Sequence, residues 1–196
     1  MAFIEPISES QASGAVAKMY AADRDRFGYL PNFTLAFSHL PEAYAAWLAL
    51  NGAIKASMDL RRYELATVAA ARQLRSSYCT LAHGSVLIDQ FLSPDSVRAV
   101  VNDHRAAGLE PVEVAVMDLA DKVASDATSV TQEDIDGLRG FGLTDGEILE
   151  VVLAAAARAF FSKTLDGLGI APDARYAKLQ PDVRQTLTVG RAIADP

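Results

Sequence analysis

Apolar and small residues recur at three- and four-residue spacing over long stretches of the chain, and alternating runs of β-branched and aromatic residues hardly occur. That is the period of an amphipathic helix rather than of a strand, and it predicts an all-α fold. A polar helix is expected at about Glu9 to Arg26, followed by the loop Gly28-Tyr29-Leu30-Pro31-Asn32. Pro41 opens a helix to about Ala56 that carries Trp47, Leu48 and Leu50, because proline is tolerated in a first turn. Asp59 is the expected N-cap of the next, whose apolar stripe runs from Leu60 through Tyr63, Ala66 and Ala70 to Leu74. Ser76 and Ser77 start another, with Leu81, Val86, Leu87 and Phe91 at helical spacing, and Ser93-Pro94-Asp95 ends it and begins one more. Further helices are predicted at about Glu113 to Ser125, Gln132 to Arg139, Asp145 to Leu168 and Pro181 to Ala192.

The connections are short, and no Ser/Gly-rich or Pro-rich linker divides the chain, which predicts one helical domain over residues 1–196. A shift of 83 positions sets Leu60-Arg61-Arg62-Tyr63-Glu64-Leu65 against Leu143-Thr144-Asp145-Gly146-Glu147-Ile148, with Ala-rich helices following both. One explanation is a degenerate internal repeat, in which Cys79 meets Ser162 and His83 meets Asp166. The other is that any two Ala-rich amphipathic helices align this well.

Composition narrows the function classes. With 51% apolar residues among 196, the chain has the material for a packed core and is not a disordered segment. A formal charge of −7 with no basic block argues against a nucleic-acid partner. The longest apolar runs, such as Val151 to Ala157, fall far short of the roughly 20 residues that cross a bilayer, so no membrane partner is expected. Met1 to Ser10 lacks the charged start and apolar stretch of a secretory signal, and a cytoplasmic location is expected. Three scattered histidines and one cysteine form no metal-ligand spacing, and no Gly-rich phosphate loop occurs. No metal and no cofactor are expected.

Reactive side chains converge in one place, Ser76-Ser77-Tyr78-Cys79-Thr80-Leu81-Ala82-His83. The lone Cys79 cannot form an internal disulfide; it is a buried apolar residue, an intermolecular partner or a reactive thiol. Cys79 and His83 stand at i and i+4 on one helix face, so the imidazole can take the thiol proton and leave a nucleophilic thiolate. A helix starting at Ser76 or Ser77 also places Cys79 in its first turn, where free N–H groups favour an anion. The alternative is a cysteine that packs as a small hydrophobe beside an unrelated histidine.

Glu64, 19 residues before His83, is a carboxylate entering a mostly apolar run. Bonded to one imidazole nitrogen, it would fix the tautomer and turn the other nitrogen to the thiol. Its alternative is an exposed glutamate in a first helical turn. Tyr78 could donate to a leaving or carbonyl oxygen, or simply pack. His39 and His104 read as surface or loop residues, and Arg61, Arg62, Arg72 and Arg75 are the cations nearest the motif.

Glu64, Ser76, Cys79 and His83 resemble the E-x11-C-x2-C-x3-H signature of the carboxymuconolactone decarboxylase and alkyl hydroperoxidase D-like (AhpD-like) proteins. Gly28-Tyr29-Leu30-Pro31-Asn32, Pro41 and the stretch from Leu138 to Ile148 are similar to the peroxidase-related branch, so the resemblance spans about residues 25–175. It implies an all-helical bundle, assembly as a homo-oligomer (dimer, trimer or hexamer), and a proton-relay site of Glu64, His83 and Cys79. The departure is Ser76, which stands where the family has its first cysteine. A two-cysteine cycle within one chain is therefore impossible, and an external thiol must return a Cys79 sulfenic acid to thiol.

Three functions follow as expectations. The first is a thiol-dependent peroxidase using Cys79. The second is a decarboxylase-like enzyme on a small cyclic acid, in which Glu64 and His83 move protons. The third is a non-catalytic oligomeric binding protein. The segments Val151 to Phe161 and Pro41 to Ile54, apolar around much of their circumference, are expected to be covered between subunits.

Overall fold

Side-chain caps set where the α-helices after Asp59, Ser93, Glu110, Thr131 and Thr144 begin. The computed structural model describes residues 2–195. It contains α1 (Gly14–Phe27), α2 (Asn32–Ala36), α3 (Pro41–Ser57), α4 (Leu60–Gln73) and α5 (Ser77–Gln90), followed by α6 (Pro94–Asp103), α7 (Pro111–Asp126), α8 (Gln132–Gly140), α9 (Asp145–Gly167) and α10 (Pro181–Leu187). Among the described residues there is no strand, and the fold is an all-α bundle. Asp59 accepts from the Arg62 N–H and Ser93 from that of Ser96. Thr131 and Thr144 each form a reciprocal capping box, with Asp134 and Glu147.

α4 is the axis of the bundle and packs against α5, α7 and α9. Nine consecutive residues, Tyr63 to Ala71, are buried, so the helix meets neighbours on every side. Its Ala66, Ala69, Ala70 and Ala71 have no exposed surface, and such small side chains let the surrounding helices approach closely. Glu64 lies within this buried run, at 1% exposure.

The turn from α4 to α5 passes through Arg75 at φ 56°, the single positive-φ position among the described non-glycine residues. The C-terminal segment is laid over this turn. The Gly190 N–H donates to Ser77 Oγ at 2.7 Å, and a Cβ at Gly190 would lie 2.0 Å from the Arg75 carbonyl oxygen, so only glycine fits.

Three expectations change. α1 starts at Gly14 rather than Glu9, because Gln11 turns back on Ser8, its N–H 3.0 Å from the Ser8 carbonyl. α10 stops at Leu187 rather than Ala192, where the chain leaves the helix to reach Arg75 and Ser77. The 83-residue repeat is not a repeated helix pair: α9 runs unbroken through the position where the shift would place the turn between α4 and α5. Among the described residues, no helix is long and apolar enough to cross a membrane.

Candidate active site

The helix pair α4–α5 brings Glu64 and His83 together. His83 Nδ1 lies 2.5 Å from Glu64 Oε2, and Lys55 Nζ, from the last turn of α3, lies 3.5 Å from Glu64 Oε1. Burial works against a charged Glu64, but His83, Lys55 and Arg158 outweigh it and hold the carboxyl below its usual range. Burial, reinforced by the positive charge of Arg158, lowers the pKa of His83 although Glu64 pulls the other way. The pair at neutral pH is thus a carboxylate and a neutral imidazole, the state in which a histidine acts as a base.

Cys79 stands in the first turn of α5, 2% exposed, and its sulfur is met by Arg158 rather than by His83. Arg158 Nη1 is 3.5 Å from Sγ, and Nη2 donates to the Tyr63 hydroxyl at 3.2 Å. The Tyr63 hydroxyl donates onward to Asn51 Oδ1 at 2.7 Å. The guanidinium is 3% exposed and, among the described residues, makes no ion pair with a carboxylate. Burial opposes its charge, yet its pKa is raised, through Cys79 and Tyr63. A buried cation is costly without a counter-charge, and the ionisable groups its nitrogens touch are the Tyr63 hydroxyl and the Cys79 thiol.

A cavity of about 180 Å³ joins these groups. Cys79, His83, Tyr63 and Arg158 line it, and Phe33, Trp47 and Phe161 face them. Trp47 is stacked on Phe161, ring centroids 4.8 Å apart and planes 16° from parallel. Short α2 brings Phe33 to the wall and is fixed by two buried aspartates. Asp173 accepts from the Asn32 N–H and the Tyr29 hydroxyl, both at 2.8 Å, and from the Tyr78 hydroxyl at 2.5 Å. Asp23 accepts from Thr34 Oγ1 at 2.5 Å and the Tyr44 hydroxyl at 2.6 Å.

The structure thus brings Glu64 and His83 into contact, and sets Cys79 on the same cavity without a direct hydrogen bond to the imidazole. Ser76 is fully buried at the N-cap of α5, makes no capping bond and does not line the cavity. The ring of Tyr78 does line it, but its hydroxyl is committed to Asp173 and to the Phe33 N–H, which leaves it a positioning rather than a proton-donating role. One expectation is corrected. His104 is buried, not at the surface, and pairs with Asp118 at 2.7 Å, whereas His39 is exposed as expected. Arg61, Arg62 and Arg72 turn away to Glu113, Glu147 and Asp121, and Arg75 to the Val189 carbonyl. The cation that reaches the thiol is Arg158, hidden to the sequence within an Ala-rich helix; a lone arginine between Ala157 and Ala159 was the available signal.

The site is thus a thiol on the same cavity as an imidazole–carboxylate pair, within an all-α bundle. Residues 41–122, which hold Glu64, Cys79 and His83, match the model of the Carboxymuconolactone decarboxylase family. No curated protein sequence matches the chain. Three solved structures share the fold. The alkylhydroperoxidase AhpD core of an uncharacterized peroxidase-related protein from Ralstonia eutropha JMP134 superposes with a TM-score of 0.81 at 21% identity, over 89% of this chain and 94% of that one. An uncharacterized peroxidase-related protein from Silicibacter sp. TM1040 gives 0.74 at 19% identity, over 90% and 91%. The debrominase Bmp8, with a cysteine replaced by alanine and in complex with 2,3,4-tribromopyrrole, gives 0.72 at 16% identity, over 94% and 95%. At these identities the likeness is one of fold.

Proposed function

We propose that the protein is a thiol-dependent peroxidase with one reactive cysteine, Cys79. The observation that carries this reading is the buried Arg158 guanidinium, which stands 3.5 Å from the Cys79 sulfur. A charge-assisted contact of that kind favours the anion, and the anion is the nucleophile. The thiolate attacks the terminal oxygen of a peroxide, the O–O bond breaks, and the products are a Cys79 sulfenic acid and an alkoxide. The neutral His83, oriented by Glu64, is not in contact with the thiol, so it takes the thiol proton by way of a water in the cavity and returns it to the alkoxide by the same route. One external thiol condenses with the sulfenic acid, releasing water and leaving a mixed disulfide; a second frees Cys79 as thiol. The balance is one peroxide and two external thiols to one alcohol, one water and one external disulfide.

A second reading draws on the aromatic wall and on the debrominase complex. In it the thiolate takes a halogen from a small aromatic ring, the ring carbanion is protonated, and the same two external thiols reduce the sulfenyl halide with release of halide. The two readings differ in product and share Cys79. The exposed apolar residues Leu50 on α3 and Leu149, Leu153 and Phe160 on α9 support a homo-oligomer that covers this face.

The test is peroxide-dependent oxidation of an external dithiol by wild type and by Cys79→Ser. Wild type is expected to consume peroxide and the variant to be inert with an unchanged circular dichroism spectrum. A variant as active as wild type would overturn the reading.

A further inference from the structure

The chain is acidic overall, yet the charged side chains that line the cavity are all cations: Arg26, Lys55 and Arg158. Each nearby carboxylate is held one side chain back. Glu64 stands behind His83, Asp23 behind Tyr44 and Asp173 behind Tyr78, each as the hydrogen-bond partner of a group that does line the cavity. Such carboxylates orient the wall and show none of their oxygens to what it encloses.

Arg158 is almost fully buried, and its Nε finds no hydrogen-bond partner. A buried guanidinium with a donor to spare is what an anion-receiving site presents. Lys55 is 38% exposed, with its ammonium 4.8 Å from the Tyr63 ring centroid. Between these cations the walls are flat aromatic faces, among them Phe33, Trp47 and Phe161. A cavity of 180 Å³ has the capacity of a single ring, since one of about 150 Å³ takes up benzene.

We propose that the substrate of this site is a small aromatic ring bearing one negative charge, and that Arg158, Lys55 and Arg26 read the charge while Trp47 and Phe161 read the ring. This deepens the preceding proposal, on which it rests for the identity of the site. The molecule reduced at Cys79 is then an aryl acid carrying the peroxide or halogen, and hydrogen peroxide itself is a poor substrate.

The single tryptophan of the chain, Trp47, lies in the cavity wall and reports occupancy by its fluorescence. Benzoate, benzamide and cyclohexanecarboxylate are titrated into the Cys79→Ser protein, in which no thiol chemistry occurs, so failure of the redox reading leaves this measurement intact. Benzoate is expected to change Trp47 emission with an affinity at least tenfold above that of benzamide, which lacks the charge, and of cyclohexanecarboxylate, which lacks the ring. Lys55→Gln combined with Arg26→Gln, both at exposed positions, is expected to remove most of the preference for benzoate over benzamide. Equal binding of the three probes, or no binding of benzoate at millimolar concentration, would overturn the proposal.

Discussion

The guanidinium of Arg158 lies 3.5 Å from the sulfur of Cys79, although 79 residues separate them along the chain. The contact joins the long helix α9 to the first turn of α5 and makes the thiol part of a charged cluster rather than an apolar filler. Hydrogen bonds to charged groups contribute about 1.5–3 kcal/mol. Arg158→Gln is therefore expected to slow iodoacetamide alkylation of Cys79 at neutral pH by about tenfold or more. An unchanged rate would show that the guanidinium does nothing for the thiolate.

The imidazole of His83 makes acid stability a second test. Its native pKa lies below the ordinary value of 6.5, through burial and then Arg158, with Glu64 opposing. The native state thus binds fewer protons than the unfolded chain just below that pH. This contribution is fully present above 6.5 and is lost as the pH falls through the lower native value. Glu64, also held below its ordinary value, loses its contribution further toward acid. Tm is expected to fall as the pH is taken from about 7 to about 5, and to fall less in His83→Gln. Equal falls would contradict the assignment.

Asp173 binds three donors from two parts of the chain, the Tyr29 hydroxyl and the Asn32 N–H of one segment and the Tyr78 hydroxyl of α5. Burial, and after it Asp173, pushes the Tyr29 hydroxyl up to about 12, so it stays a donor at any working pH. Asp173→Asn keeps the shape but halves the accepting capacity. The expected cost is about 2–3 kcal/mol, which lowers Tm by roughly 5–10 °C for a domain of this size. Thermal denaturation checks this, and an unchanged Tm would deny the clamp.

Ser76 offers a gain-of-chemistry experiment. It is fully buried without a capping bond, so a thiol in its place removes no helix cap. Ser76→Cys puts two thiols three residues apart at the start of α5. After one equivalent of peroxide the variant is expected to titrate no free thiol and to have lost two hydrogens by mass. Retention of both thiols would mean that the helix start holds the two positions apart.

Much of this site was written locally in the sequence. The Glu64–His83 pair follows from two adjacent helices whose starts, after Asp59 and at Ser76–Ser77, are readable in the sequence. The i, i+4 relation of Cys79 and His83 was right in spacing, yet it brought the side chains to one cavity and not into contact. Arg158 was illegible because the register of α9 against α5 is set by packing across the bundle, and an arginine in an Ala-rich run looks solvent-bound until its neighbours are known. Asp23 and Asp173 are illegible for the same reason: each is an ordinary loop or helix carboxylate until Tyr44 and Tyr78 are folded against it. His104 was misplaced because its neighbours in sequence are charged, while Asp118 on α7 takes it inward.

The central claim is that Cys79 itself carries the oxidising equivalent. The direct measurement is dimedone trapping after stoichiometric peroxide, read by peptide mass spectrometry. The account predicts one dimedone adduct per chain, at Cys79, that disappears when an external thiol is added first. Peroxide consumption with no adduct and an unmodified Cys79 would contradict it.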